Sequence, residues 1–253
     1  MQIKAAGLTH VGMKRTHNED SFFTMEEENL FIVADGMGGH SSGEVASQMA
    51  VETVANFFKA TSNDDEVTWP FKMDKERDYQ ENRLVTGMKL ANLRIYEAAQ
   101  REAKYRGMGT TMVSSLFSDG VLIVGHVGDS RGYRVRGGQL EQLTEDHSLL
   151  NDYIKAKKLT PEEIENFPHK NVIVRALGMK ETVQVDILKL KPMENDIYLM
   201  CTDGLSGMVN DQEIVQVVNK SAGLDQAAAE LIARANQNGG MDNITTILLK
   251  FIA

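Results

Sequence analysis

Apolar residues in this chain switch between two spacings, and the switching sets out an order of elements. Short runs of apolar or alternating residues predict strands around residues 3–7, 21–25 and 30–34. Ala46, Ala50, Val54, Phe57 and Phe58 then recur at three- and four-residue steps, which predicts a helix over about 43–59 with those residues on one face. Residues 61–82 are polar, acidic and without period, hold the only tryptophan, and predict a long surface excursion. Leu84, Met88, Ala91, Ile95 and Ala98 mark a second helix over about 81–104. Two hairpins follow: 111–117 and 121–127 around Asp119-Gly120, and 131–136 and 139–143 around Gly137-Gly138. Residues 145–171 are polar, with one helix start at Thr160-Pro161-Glu162-Glu163. Strands at 183–190 and 197–201, helices at 211–220 and 225–236 ended by Gly239-Gly240, and a strand at 244–251 complete the pattern. Strand blocks alternating with helix blocks predict an α+β layered fold. No repeat or composition break divides it, so residues 1–253 read as a single domain.

Four of the strand-like runs meet an aspartate in a Gly- or Asn-flanked turn: Asp35, Asp129, Asp203 and Asp242. One such Asp-Gly is ordinarily only a turn. Four at strand ends predict that one sheet edge presents them together. Converging carboxylates repel unless divalent cations sit between them. Aspartates with a nearby main-chain carbonyl, such as that of Gly36, suit Mg²⁺ or Mn²⁺, and the chain has no His- or Cys-rich spacing for structural zinc. Metals held by carboxylates usually serve phosphate chemistry. Upstream, Arg15-Thr16-His17-Asn18-Glu19-Asp20 sets a guanidinium fork, able to grip two phosphate oxygens, beside two more acids.

Composition narrows the reading. A formal net charge of −9 argues against a nucleic-acid partner, whose binding needs surplus Lys and Arg. The chain has one cysteine, Cys201, so there is no internal disulfide, and a thiol in an apolar run is unsuited to be a nucleophile. Residues 1–16 lack a long apolar segment, and no run approaches the roughly 18 apolar residues of a membrane span. The expectation is a soluble, cytoplasmic monomer without a membrane partner.

Arg15…Asn18-Glu19-Asp20, Asp35-Gly36-Met37-Gly38-Gly39-His40, Gly109-Thr110-Thr111, Gly128-Asp129-Ser130-Arg131, Leu143-Thr144-Glu145-Asp146-His147-Ser148, Arg175-Ala176-Leu177-Gly178, Thr202-Asp203-Gly204-Leu205 and Asp242-Asn243-Ile244-Thr245 follow in order. With these motifs the chain closely resembles the metal-dependent 2C-type protein serine/threonine phosphatases in their bacterial form. The resemblance implies a four-layer α-β-β-α sandwich, two antiparallel sheets flanked by helix pairs. It implies two Mn²⁺ or Mg²⁺ ions, with Asp35 bridging them and Gly36 lending its carbonyl. Asp203 and Asp242 would hold the first ion and Glu19 the second, while Asp20 orients a metal-bound water. Asp129, with Asp203, matches the site of a third and weaker ion, and Arg15 the phosphate-gripping arginine. Residues 145–171 correspond to a mobile flap beside the site. Expected partners are phosphoprotein substrates, among them a serine/threonine kinase and its targets.

Where eukaryotic relatives often place a histidine after the first Asp-Gly, this chain has Met37, which leaves His40 as a candidate general acid. It could equally bond the start of the following helix. His126 and His147 read as structural. Two other functions fit parts of the pattern: a catalytically silent phospho-binding module of the same fold, and a two-metal phosphodiesterase.

Overall fold

The computed structural model describes residues 2–38, 42–62, 68–156, 159–168 and 172–252. The chain begins with β1 (Gln2–His10), β2 (Asp20–Met25) and β3 (Leu30–Met37), then helices α1 (Ser42–Thr61) and α2 (Tyr79–Arg101). Five strands follow: β4 (Gly109–Thr110), β5 (Met112–Ser118), β6 (Val121–Val127), β7 (Arg131–Arg136) and β8 (Gln139–Gln142). Short helices α3 (Leu149–Lys155) and α4 (Pro161–Glu165) precede β9 (Asp186–Leu190) and β10 (Ile197–Cys201). The chain closes with α5 (Asp203–Ser206), α6 (Asp211–Lys220), α7 (Leu224–Gln237) and β11 (Ile244–Ile252).

The strands form two antiparallel sheets, one in the order β1-β11-β10-β7-β8 and the other β2-β3-β5-β6-β9, with β4 beside β3. Period-two alternation sorts side chains between layers. In β3, Phe31 and Val33 meet Ile247, Leu249 and Phe251 of β11 between the sheets, while Leu30, Ile32 and Ala34 face α1 and α2. In β11, Ile244 and Leu248 point the other way, onto α6 and α7. The result is the expected four-layer α-β-β-α sandwich.

The outer helices are held by burial more than by their ends. Asp78 caps α2, accepting from the Glu81 amide at 2.9 Å while Glu81 Oε2 accepts from the Asp78 amide at 2.9 Å. Such a cap is worth about 1 kcal/mol. Leu84, Met88 and Ile95 are each fully buried on the same helix, at about 1.5–3 kcal/mol apiece.

That cap also corrects the predicted excursion, whose last four residues are already α2. Trp69 packs edge-on against Phe57 at 5.6 Å and at a tilt against Tyr79 at 5.3 Å. Asn82 Nδ2 donates to the carbonyls of Asp74, Arg77 and Asp78. The segment lacks helical period because side chains that fold back on a helix pair need none. Residues 63–67 lie outside the described set. The sequence pattern also missed α3: Leu149, Leu150, Tyr153 and Ile154 stand at helical spacing, but the run is only seven residues long and none of them is buried, so its periodic signal is short.

Candidate metal centre

The six acids named above collect at one end of the sandwich, but not along one sheet edge. Asp35 lies in β3 and Asp129 follows β6, both in the second sheet, whereas Asp203 follows β10 and Asp242 precedes β11 in the first. Neighbouring strands place Asp20 opposite Asp35 and Asp203 near Asp242, and the cleft between the two sheets brings the acids of one sheet to those of the other.

Local structure fixes each carboxylate. The β2–β3 register sets Asp20 opposite Asp35. The Asp35 carbonyl accepts from the Thr111 amide at 2.9 Å and from Thr110 Oγ1 at 2.8 Å. At Gly36 a Cβ would stand 2.1 Å from the Gly43 carbonyl and 2.5 Å from that of Glu19, so only glycine lets the start of α1 close on this turn. The Glu19 carboxylate in turn accepts from the Gly43 amide at the first turn of α1. Gly128 holds φ +114° before Asp129, and a Cβ on it would stand 2.5 Å from Thr111 Cβ. Arg15 Nη2 donates to Asp242 Oδ2 at 2.7 Å.

The electrostatics show what the cluster lacks. Burial holds the Asp35 carboxyl well above the usual range, and repulsion from Asp20, Asp203, Asp129 and Asp242 adds to it. Burial likewise raises Asp129 to about 7, with Asp203 and Asp146 contributing. Asp20 is also pushed to about 7 by burial, against the opposing hydrogen bonds from Thr245 and Thr202. Burial raises Asp203, with Asp242 adding to it, and burial raises Glu19. The Asp129 Oδ1 atom is buried with no hydrogen-bond partner among the described residues. Arg15 is the cation bonded to the cluster, and its side chain is 51% exposed and that of Asp242 37%. A pair so exposed is worth at most about 1 kcal/mol, too little to balance several buried carboxylates.

Divalent cations would supply the missing charge, and an all-oxygen donor set fits Mg²⁺ or Mn²⁺. Among the described residues no three acidic, histidine or cysteine side chains form a ready-made cage. Asp129, Asp203 and Asp242 line a cleft of about 360 Å³ that continues past Arg131, Asp146 and Ser148 to Met208 and Met241. Arg131 grips Asp146 with its fork, Nε–Oδ1 at 2.9 Å and Nη2–Oδ2 at 2.7 Å, which ties residues 145–148 to β7.

His40 lies outside the described residues, as does part of 145–171. His126 and His147 stack at 4.6 Å, and burial lowers both; His147 Nδ1 accepts from the Gly128 amide and Nε2 bonds Asp186, a structural arrangement.

Sequence patterns passed over the residues that hold the acids in place. Asn243 Oδ1 accepts from the Glu19 amide at 2.8 Å, and its Nδ2 donates to the Val11 and His17 carbonyls at 2.9 Å. Its position after Asp242 was visible, but nothing in one sequence shows where an amide points. Asn243→Ala is expected to cost about 1–3 kcal/mol by stranding these partners. In a chain this size that is a fall of about 3–10 °C in melting temperature, read in a thermal melt with EDTA. An unchanged melt would show that the loop does not depend on this amide.

A family model described as protein phosphatase 2C matches residues 7–249. The chain belongs to that family. It is therefore an enzyme of the protein phosphatase class. The chain is 36% identical over 249 residues to the serine/threonine phosphatase stp of Listeria monocytogenes, covering 96% of this chain and 93% of that protein. It is 38% identical over 245 residues to protein phosphatase PhpP of Streptococcus pneumoniae, covering 96% and 95%. Its fold matches the crystal structure of the Mycobacterium tuberculosis phosphatase PstP with a TM-score of 0.86, at 32% identity and over 100% of both chains. A PstP catalytic domain solved in complex with two manganese ions matches with a TM-score of 0.82, at 32% identity and over 99% of both. The 2C-type sandwich is thus seen in this chain, and among its described residues no helix is long and apolar enough to cross a membrane.

Proposed function

We propose that this 2C-type protein is a Mn²⁺- or Mg²⁺-dependent phosphatase that hydrolyses phosphoserine and phosphothreonine in proteins, a bacterial kinase and its targets among them. The observation that carries the reading is the meeting of Asp20, Asp35, Asp129, Asp203 and Asp242 from two sheets, with Arg15 bonded at the rim. Asp35 and the Gly36 carbonyl would help to hold both ions. Asp203 and Asp242 would complete one ion's protein ligands, Glu19 the other's, and Asp129 with Asp203 would take a third. Bound, such ions supply a water acidic enough to act as hydroxide near neutral pH and balance charge on the phosphoryl oxygens. Asp20 orients a water of the site. Arg15 holds two phosphoryl oxygens in its fork. The whole chain acts as one catalytic domain, with the 145–171 segment, of which Asp146, Ser148 and Leu150 line the cleft, bearing on substrate choice.

Hydrolysis of p-nitrophenyl phosphate and of a phosphothreonine peptide, with Mn²⁺ and with EDTA, tests the reading; turnover indifferent to EDTA would overturn it. Arg15→Ala is expected to raise KM for the peptide about tenfold, the effect of one charge-assisted contact at an exposed rim, with a smaller change in kcat. Arg15→Lys should recover only part, because an ammonium lacks the fork. A KM that stays at the parent value in both variants would remove Arg15 from the phosphate site.

A further inference from the structure

The buried side of Asp20 is held by a chain of hydroxyls whose proton directions can be worked out. Thr245 Oγ1 lies 2.7 Å and Thr202 Oγ1 2.9 Å from the same oxygen, Asp20 Oδ2. Both threonines are fully buried. Behind Thr245, Thr9 Oγ1 stands at 2.6 Å, its cross-strand partner in the β1–β11 ladder. Behind Thr9, Asn18 Nδ2 stands at 2.8 Å. Distances alone leave the Thr9–Thr245 bond ambiguous, but its neighbours settle it.

The Asp20 amide can only donate, and it points at Asn18 Oδ1, so the Asn18 nitrogen is the atom facing Thr9. An amide nitrogen only donates, so Thr9 accepts from Asn18. At the other end the carboxylate oxygen accepts, which commits the one proton of Thr245 to Asp20. Thr245 must then accept from Thr9. The run is one-way: Asn18 to Thr9 to Thr245 to Asp20. Thr202 donates to the same oxygen and accepts from the Thr245 amide at 3.0 Å, which locks the second hydroxyl.

Two donors on Oδ2 fix the rotation of the carboxyl group and hence the direction of Oδ1. The contributors come from both sheets, Asp20 from β2 and the threonines from β1, β11 and the end of β10. We infer that Thr245, backed by Thr9 and flanked by Thr202, is a positioning residue for catalysis that sets the aim of Asp20 without touching substrate. The inference rests on the phosphatase reading above and adds residues to it. Buried strand threonines that only satisfied one another would leave catalysis indifferent to the Thr245 hydroxyl.

Five proteins separate the two: the parent, Thr245→Val, Thr245→Ser, Thr9→Val and the Thr9→Val/Thr245→Val double variant. Each is stripped, reloaded with Mn²⁺ and assayed on p-nitrophenyl phosphate, with Mn²⁺ affinity read by calorimetry. Thr245→Val is expected to lower kcat about 10–100-fold, the scale of a small misplacement of a catalytic group. Its KM should stay within twofold, and its Mn²⁺ dissociation constant within threefold. Thr245→Ser should return kcat to within threefold of the parent. Thr9→Val should lower kcat about threefold in the parent and not at all in Thr245→Val, since it acts only through that hydroxyl. Parent-like kcat in Thr245→Val, a serine variant as poor as the valine one, an equal Thr9 effect in both backgrounds, or Mn²⁺ binding lost together with kcat would each overturn the inference. If Thr245→Val does not fold, Thr245→Ser and Thr9→Val decide it by the same limits. A parent without Mn²⁺-dependent turnover would instead sink the phosphatase reading, so the two failures are distinct.

Discussion

Asp203→Asn is expected to move activity and stability in opposite directions. Hydrolysis of p-nitrophenyl phosphate with Mn²⁺ should fall by about a thousandfold or more. That factor corresponds to roughly 4 kcal/mol of transition-state stabilisation, the several kcal/mol a correctly held cation supplies. In EDTA at pH 8 the same variant should melt higher than the parent. Burial and Asp242 raise the Asp203 carboxyl, so its ionised form destabilises the fold once the pH exceeds its folded pKa. An amide keeps the shape and removes the charge, and it can donate to Asp35, whose carboxyl lies within hydrogen-bonding reach. With saturating Mn²⁺ the order should reverse, because only the parent gains fully from binding. Activity within tenfold of the parent, or a lower melt in EDTA, would show that Asp203 is not part of a charge-strained metal site.

The second expectation concerns the protein without metal between about pH 6 and pH 8. Asp20 and Asp129 are raised to about 7, against about 3.9 for an unfolded aspartate. Across that window the folded chain binds more protons than the unfolded one, so stability falls as pH rises through 7. Groups of opposite sign act lower. Asp186 is lowered by its bonds to His147 and Arg175, and Asp196 by its bond to Arg136, so their contribution is lost only as pH falls through the acid range. His126 is lowered to about 3 by burial and by His147, and so favours the fold less as pH drops below about 6.5. Melting temperatures in EDTA should therefore decline from pH 6 to pH 8. Mn²⁺ at about a hundred times its dissociation constant adds about 2.7 kcal/mol, or about 5–10 °C for a domain of this size. The shift should be larger at pH 8 than at pH 6, where protons compete for the same oxygens. A metal-induced shift independent of pH would contradict the charge assignment.

What a single sequence could show here follows from what leaves a period in it. The order of strand and helix blocks was legible because short apolar runs mark the strands and α1 and α2 carry apolar faces at helical spacing. The four-layer order was implied only by the motif resemblance, since Leu30 to Ala34 are all apolar and their two faces separate only in the structure. The acids were legible as a set because each ends or opens a strand. Their meeting place was not, since the ends of strands in two sheets look the same in sequence as the ends of strands in one. Trp69 and the Asp78 cap sat in a stretch with no period, where folding back on a helix pair leaves no trace. The aims of Asn243, Thr202 and Thr245 depend on distances across 200 or so residues of chain, as in the 225-residue separation of Thr245 from Asp20.

The pairing of Asp20 with Asp35 also bears on the order in which this part of the chain assembles. The turn of that hairpin lies at the opposite end, where Met25 meets Leu30. Closing from the turn, four apolar or small rungs and Ser21–Ala34 zip before the two acids come face to face. Like charges directly opposite weaken a ladder, and here the weak rung is the last to shut. The hairpin can thus nucleate at its apolar end, and the repulsion at its acidic end enters only as the final step.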